Sequence, residues 1–431
     1  MKFSLVNPNW SFEGSIYFGC REPHLPLEFG YSKALLEKEG HEVMLVDAQM
    51  ENLSLREIRA AIRRFKPDFT VITTAPSYLF WRCAPPELRV PLRTLREIRR
   101  EAGVTVVVGP HASTTPRAAL MKLDADVAVR GECEEILPRL AAESDWKNIP
   151  AVSYARGGAI VVQGGPHASD ANRLPVLRWE RDYVARHRHH HHRFDHGPSA
   201  PGAEVEFARG CPYHCTFCAK DNYRNMYRKR PLDTVLTEID GLIECGVEYI
   251  YFIDEIFLPH RELLVALCSR PVDFGVQLRI DHWNLEMIDL LGRAGCVSIE
   301  AGVESITPEG RNLLDKKCRL STGELSERLV HAKKCIPFVQ ANLLESRHDD
   351  PGEVEKWRGY LQSRGVWANK PVPLFPYPGS PDYTKRWGIP DDTAWERAHE
   401  HYLEVFKQFS DIQDDRPVPL AELEQGAKSG R

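Results

Sequence analysis

No run of about 18 apolar residues occurs anywhere in this 431-residue chain, so no membrane-spanning helix is expected. The opening residues, MKFSLVNPNW, lack the basic segment and apolar core of a secretory leader, and a cytoplasmic location is the expectation. Neither sign of charge dominates. Lysine and arginine number 56 against 61 acidic residues, a net charge of −5, which gives no reason to expect nucleic acid or an anionic membrane as a partner. A disulfide framework is missing too. The 11 cysteines are odd in number, and most stand alone: Cys20, Cys83, Cys133, Cys245, Cys268, Cys296, Cys318 and Cys335. Each of these reads as a small buried or half-buried hydrophobe that stays reduced. With 42% hydrophobic and 27% charged residues the chain is globular, and its length calls for two or three domains.

What is present is a repeated alternation of strands and helices. Strand patterns cover Lys2 to Val6, His41 to Val46, Phe69 to Thr73, Val104 to Val108 and Asp126 to Val129. Helical patterns cover Glu28 to Glu39, Leu55 to Phe65, Val90 to Ala102 and Glu134 to Ala142. This order predicts a doubly wound parallel sheet, whose ligands bind beyond the carboxyl ends of the strands. A looser region follows, with a hairpin in AVSYARGGAIVV turning at Gly157 and Gly158. A second series begins at Ala203. Its strands are Glu204 to Ala208, Tyr249 to Ile253, Gly275 to Ile280, Val297 to Ala301, Val339 to Leu344 and Val372 to Phe375. Six β–α units predict a barrel or partial barrel. The expected organisation is a first domain over 1–145, a linking region with the hairpin and a histidine-rich segment over 146–202, the barrel over 203–385, and a helical extension and tail over 386–431.

Three cysteines do not fit the scattered pattern. In EFARGCPYHCTFCAKDNYR, Cys211, Cys215 and Cys218 have C-x3-C-x2-C spacing directly after a predicted strand. Three thiolates on one loop can each bind one iron of a four-iron cluster. The fourth iron is then left open, and an open position on a metal marks catalysis. A structural zinc site is the alternative, with His214 as its fourth ligand.

This segment closely resembles the signature of the radical S-adenosylmethionine (SAM) superfamily. The resemblance implies a [4Fe-4S] cluster on these cysteines, SAM bound to the open iron, and reductive cleavage of SAM to a 5′-deoxyadenosyl radical. It also implies an external electron donor of the flavodoxin or ferredoxin type. Phe217 matches the aromatic that lies near the adenine. YFIDEIF resembles the family's second-strand segment, which places Asp254 and Glu255 near the SAM amino group; the second acid is more often aspartate in the cobalamin branch. QLRID resembles the fourth-strand segment, with Arg279 as partner of the SAM carboxylate. SIEAGVES resembles the fifth, with Glu300 and Glu304 as polar contacts, and LFPYPGSPDY resembles a closing motif of such barrels.

The first domain resembles the cobalamin-binding domain found upstream of many radical SAM modules. The match rests on HLPLEFGYSKALLEKEGHEVMLVDAQMENLS, TTAPSYLFWRC, VVVGPHASTTP and VRGECEEILPRL. It implies that Gly109, Ser113 and Thr114 approach the corrin edge or nucleotide tail, that Gly131 allows close backbone approach, and that Tyr78 and Trp81 pack on the corrin face. The expected fold is thus α/β, a doubly wound, Rossmann-like cobalamin-binding domain followed by a partial (β/α)6 TIM-type radical SAM barrel. One departure matters. The wider cobalamin pattern D-x-H-x-x-G after the first strand is replaced by LVNPNWSFEG, without histidine, so no histidine of that motif is expected to ligate cobalt.

Together these resemblances imply a cobalamin-dependent radical SAM enzyme. Its expected reaction is methylation of an unactivated carbon, or less often phosphorus, of a small molecule. Rearrangement, cyclisation or ring contraction without methyl transfer is an alternative, and a non-catalytic cobalamin or metal sensor is a rival of another class. The run RHRHHHHRFDH, from Arg186 to His196, stays open among three readings: a solvated linker, a grip on an anionic substrate, or a metal site.

Overall fold

The protein is described from a computed structural model, which covers residues 1–10, 23–77, 84, 86–187 and 201–405. No helix among the described residues is long and apolar enough to cross a membrane. The described residues form two compact units. The first comprises Met1–Leu177, Cys218–Asn225 and the stretch from Pro376; the second comprises Arg178–Phe217 and Met226–Phe375.

The first unit is built on a seven-stranded sheet. Its strands are β1 (Lys2–Asn7), β2 (Glu42–Asp47), β3 (Phe69–Thr73), β4 (Val104–Val108), β5 (Val127–Val129), β6 (Val152–Arg156) and β7 (Ala159–Val161), in the order β2-β1-β3-β4-β5-β6-β7. The first five pair in parallel, as their near-continuous apolar runs require of strands buried on both faces. Alternate residues feed two cores. Phe3, Leu5, Val71, Val106 and Val127 face one side, and Val6, Ile72, Val107 and Ala128 face the other. The hairpin assigned above to the linking region extends this sheet antiparallel, as β6 and β7. Its Gly157 and Gly158 have φ of 57° and 80°, the pair of positive values that a two-residue hairpin turn demands.

Helix Leu55–Phe65 starts at a capping box between Ser54 and Glu57 and stops where Lys66 turns left-handed. Two helices were not anticipated, Pro110–Thr114 and Pro116–Leu123. Each begins on a proline, which the first helical position tolerates because its N–H would be unused there. Helix Ala394–Val405, remote in sequence, joins the same unit. The Trp395 indole donates to Thr115 Oγ1 at 2.9 Å, and Lys122 pairs with Glu396.

The second unit holds a six-stranded parallel sheet. Its strands are β8 (Gly202–Val205), β11 (Tyr249–Phe252), β12 (Asp273–Leu278), β13 (Cys296–Glu304), β14 (Phe338–Leu343) and β15 (Trp367–Ala368), in that spatial order. Between β8 and β11, the short β9 (Ala208–Arg209) and β10 (Arg228–Lys229) pair antiparallel and bracket the cysteine loop. The sixth strand differs from expectation. Val372 to Phe375 contributes only one bridge, Val372 to Leu344, and the strand lies at Trp367–Ala368 instead. Pro371 and Pro373 explain the shift, because proline has no N–H for a ladder.

Candidate functional site

The cysteine loop begins where β9 ends. Gly210 takes a φ of 78°, which turns the chain out of the strand just before Cys211. Cys211, Cys215 and Cys218 are half-buried, and none is in a disulfide. Cys211 and Cys215 belong to the second unit, and Cys218 opens the segment Cys218–Asn225 that groups with the first. Among the described residues, no three His, Cys, Asp or Glu side chains converge on a point that could hold one metal ion. A four-iron cluster asks for a different arrangement, since each thiolate binds its own iron. Three cysteines outside any disulfide on one short loop fit that donor set.

Two acids brace the approach to the loop. Asp254 accepts from the backbone N–H groups of Phe207 at 2.8 Å and Ala208 at 2.9 Å, one on each carboxylate oxygen. Glu255 accepts from the N–H of Gly210 at 2.7 Å. Both acids were expected to face the SAM amino group. The two carboxylate oxygens of Asp254 are instead spent on the chain leading into Cys211. Burial pushes the Asp254 carboxyl well above the usual range; the two N–H donors pull it down, and the neighbouring Glu206 and Glu255 push it up again. On the far side of the loop, the N–H of Thr216 donates to the Leu314 carbonyl at 3.1 Å.

Arg279 follows directly on β12, and 6% of it is exposed. Its Nε and Nη2 donate to the two oxygens of Asp281 at 3.2 and 2.7 Å. Burial would raise the Asp281 carboxyl, but the Arg279 hydrogen bond and charge outweigh it and hold the group below the ordinary value. Glu300 is half-buried and accepts from Gln277 Nε2 at 3.1 Å, in register across β12 and β13. Glu304 pairs with the buried Lys316. It has a φ of 63° and sits where the β13–β14 register slips, a bulge of the kind that re-aims side chains beside sites. Phe217 is half-buried.

In the first unit, the ends of β4 and β5 are locked together. The Ser113 hydroxyl donates to the Gly109 carbonyl at 2.8 Å and accepts from the Gly131 N–H at 2.9 Å. Gly109 caps helix Pro110–Thr114 with a φ of 114°. Thr114 is half-buried. Gly131 does approach backbone closely, but the backbone is this chain's own: a Cβ there would lie 2.3 Å from the His167 carbonyl oxygen. Glu132, one residue on, forms a fully buried pair with Arg224 at 3.5 Å. Tyr78 and Trp81 lie outside the described residues.

Sequence reasoning missed three side chains at the end of β3. The hydroxyls of Thr73, Thr74 and Ser77 are buried without a hydrogen-bond partner among the described residues. Orphaned hydroxyls at the carboxyl edge of a doubly wound sheet fit a large polar cofactor laid across it. The signal was legible as a Thr-Thr pair ending a β-branched strand. His111 belongs elsewhere: it is fully buried, with its ring 3.9 Å from that of Trp395.

Comparisons with known proteins agree with this geometry. A radical SAM superfamily model matches residues 205–337, and a B12 binding domain model matches residues 21–141. An uncharacterized methyltransferase of Pyrococcus horikoshii is 24% identical over 325 residues, which are 72% of this chain and 66% of that protein. The anaerobic magnesium-protoporphyrin IX monomethyl ester cyclase of Rubrivivax gelatinosus is 22% identical over 365 residues, 79% of this chain and 62% of that one. The chain thus spans just under two thirds of the length of these curated relatives. Among solved structures, the radical SAM methyltransferase TsrM of Kitasatospora setae, with cobalamin and a [4Fe-4S] cluster bound, superposes with a TM-score of 0.71 at 20% identity, over 89% of this chain and 78% of that one. That likeness establishes the fold.

Proposed function

We propose that this chain, in which a radical SAM superfamily model matches residues 205–337 and a B12 binding domain model matches residues 21–141, is a cobalamin-dependent radical SAM methyltransferase. The observation that carries this reading is the pairing, in one chain, of a braced three-thiol loop with a doubly wound sheet edge lined by orphaned hydroxyls. When bound, the cluster would supply the electron that cleaves SAM, and cobalamin would supply the methyl group. Everything else falls to the protein. Cys211, Cys215 and Cys218 hold the cluster, and Asp254 and Glu255 fix the backbone that delivers Cys211. Arg279 meets the SAM carboxylate, Phe217 the adenine, and Glu300 and Glu304 the remaining polar groups of SAM.

On the cobalamin side, Thr73, Thr74, Ser77 and Thr114 offer polar contacts, and Tyr78 and Trp81 offer apolar ones. Ser113 acts by holding Gly109 and Gly131 in place. The substrate is a small molecule, as tryptophan is for the Kitasatospora setae enzyme, and the electron comes from a flavodoxin or ferredoxin. A cytoplasmic location suits cysteines that stay outside disulfides.

The test is transfer of a labelled SAM methyl by the anaerobically reconstituted protein. Wild type is expected to hold about four irons per chain and to move the label. Cys215→Ala is expected to lose SAM cleavage outright. Release of 5′-deoxyadenosine without label transfer to any candidate substrate would favour rearrangement or cyclisation, the reading that the cyclase relative supports. Stoichiometric zinc without SAM cleavage would favour the sensor.

A second expectation concerns cobalt. His111 is packed against Trp395, and the loop after β1 has no histidine. The electron paramagnetic resonance spectrum of the bound cofactor in its cob(II)alamin state should therefore show no histidine nitrogen splitting.

A further inference from the structure

We propose that Tyr213 is a positioning residue, whose ring holds the Arg279 guanidinium with the Nη1 amino group left open to a carboxylate. The inference rests on the reading of Arg279 as the partner of the SAM carboxylate, and adds how that arginine is aimed.

The geometry begins with Arg279 itself. Two of its three nitrogens are committed to Asp281. The third, Nη1, is buried and has no hydrogen-bond partner among the described residues. A buried guanidinium N–H left without an acceptor is costly, so its presence in a fold points to a ligand that satisfies it. One face of the guanidinium is covered by the Tyr213 ring, with 4.1 Å between the central carbon and the ring centroid. That is a close cation–π contact, and the attraction is strongest where water is excluded. Asp281 fixes the plane of the guanidinium, and Tyr213 fixes which face is covered. Only rotation of the whole side chain could re-aim Nη1, and both contacts resist it.

Tyr213 is held in turn. Its ring stacks on His282 at 5.0 Å with 19° between planes, and its hydroxyl is 3.5 Å from His282 Nδ1. The backbone beneath is pinned by Arg328, whose Nη1 donates to the Asp281 carbonyl at 2.9 Å. Tyr213 lies between Cys211 and Cys215. The loop that carries two cluster thiolates therefore also orients the arginine, so that loop placement and carboxylate recognition are set together.

The test compares binding of SAM and of decarboxylated SAM to the anaerobically reconstituted holoenzyme. The quantity read is the dissociation constant of decarboxylated SAM divided by that of SAM, which isolates recognition of the carboxylate. Tyr213→Phe retains the aromatic face and should leave the ratio as in wild type. Tyr213→Ala should lower the ratio, by roughly threefold to thirtyfold if a partly to fully desolvated cation–π contact is lost. Tyr213→Leu keeps bulk without the π face and should behave as the alanine variant. It also serves if that variant loads less than about four irons per chain. Arg279→Lys should lower the ratio as well.

Equal weakening of both ligands in the alanine and leucine variants, or an unchanged ratio, overturns the inference while leaving the proposed function in place. Failure of the wild-type holoenzyme to bind SAM overturns the proposed function, and this inference with it.

Discussion

Asp254 shows how much one side chain can do away from the chemistry. Its carboxylate is fully buried, yet both oxygens are used, on the N–H groups of Phe207 and Ala208. An amide at this position has one acceptor oxygen and would set an N–H against a backbone N–H. Asp254→Asn should therefore break one bond and leave a buried donor unsatisfied, at a cost of about 1–3 kcal/mol. Denaturant unfolding of the apoprotein checks the energy. The iron content after reconstitution, expected to fall below that of wild type, checks the placement of Cys211. Unchanged values for both would remove the brace from the argument. Glu255 acts on the next turn of the chain through Gly210, so the two acids share the task.

Among the elements, the link between β4, β5 and helix Arg89–Ile98 is electrostatic. Asp126, just before β5, accepts from Arg99 Nη1 and Nη2 at 2.9 and 2.8 Å and from the N–H and hydroxyl of Thr105 at 2.8 Å each. Burial raises the Asp126 carboxyl, but the donors outweigh it and leave the group below its ordinary value. A carboxyl lowered in the folded state contributes stability that is present above its unfolded pKa, about 4, and fades as pH falls through the folded value. Acid unfolding between roughly pH 4 and pH 2 should accordingly be shallower in Asp126→Asn than in wild type. Identical acid slopes would contradict the assignment. The same logic of local donors explains the barrel edge, where Pro371 and Pro373 move the sixth strand to Trp367–Ala368.

For the molecule as a whole, the order of residues and the order of units differ. Cys218–Asn225 leaves the middle of the second unit's sequence to join the first, and so does the chain from Pro376. The first unit is therefore incomplete in any fragment cut at the apparent domain boundary. A fragment of residues 1–202 lacks Arg224 and leaves the buried Glu132 charge without it, which costs about 3–5 kcal/mol. It also lacks Trp395, 3% exposed and bonded to Thr115. Such a fragment should melt at a markedly lower temperature than the full chain, and circular dichroism would read it. A fragment as stable as the full chain would show that neither contact matters.

Much of this was legible before any coordinates. The parallel strands of both sheets follow from apolar runs and turn residues, and the cysteine loop follows from spacing alone, because covalent neighbours cannot be far apart. The histidine-free loop after β1 was equally plain. Other features were not. Asp254 and Glu255 were recognisable as important acids, but their backbone partners depend on the pairing of β11 with β8, which brings Phe252 beside Val205. Tyr213 lies 69 residues from His282 and carried no signal of its own. The orphaned hydroxyls of Thr73, Thr74 and Ser77 became visible only once their surroundings were packed. Periodicity and spacing are written into the covalent chain and can be read from it. The choice among distant partners of similar chemistry is made by packing, which rewards one arrangement of the whole fold at once.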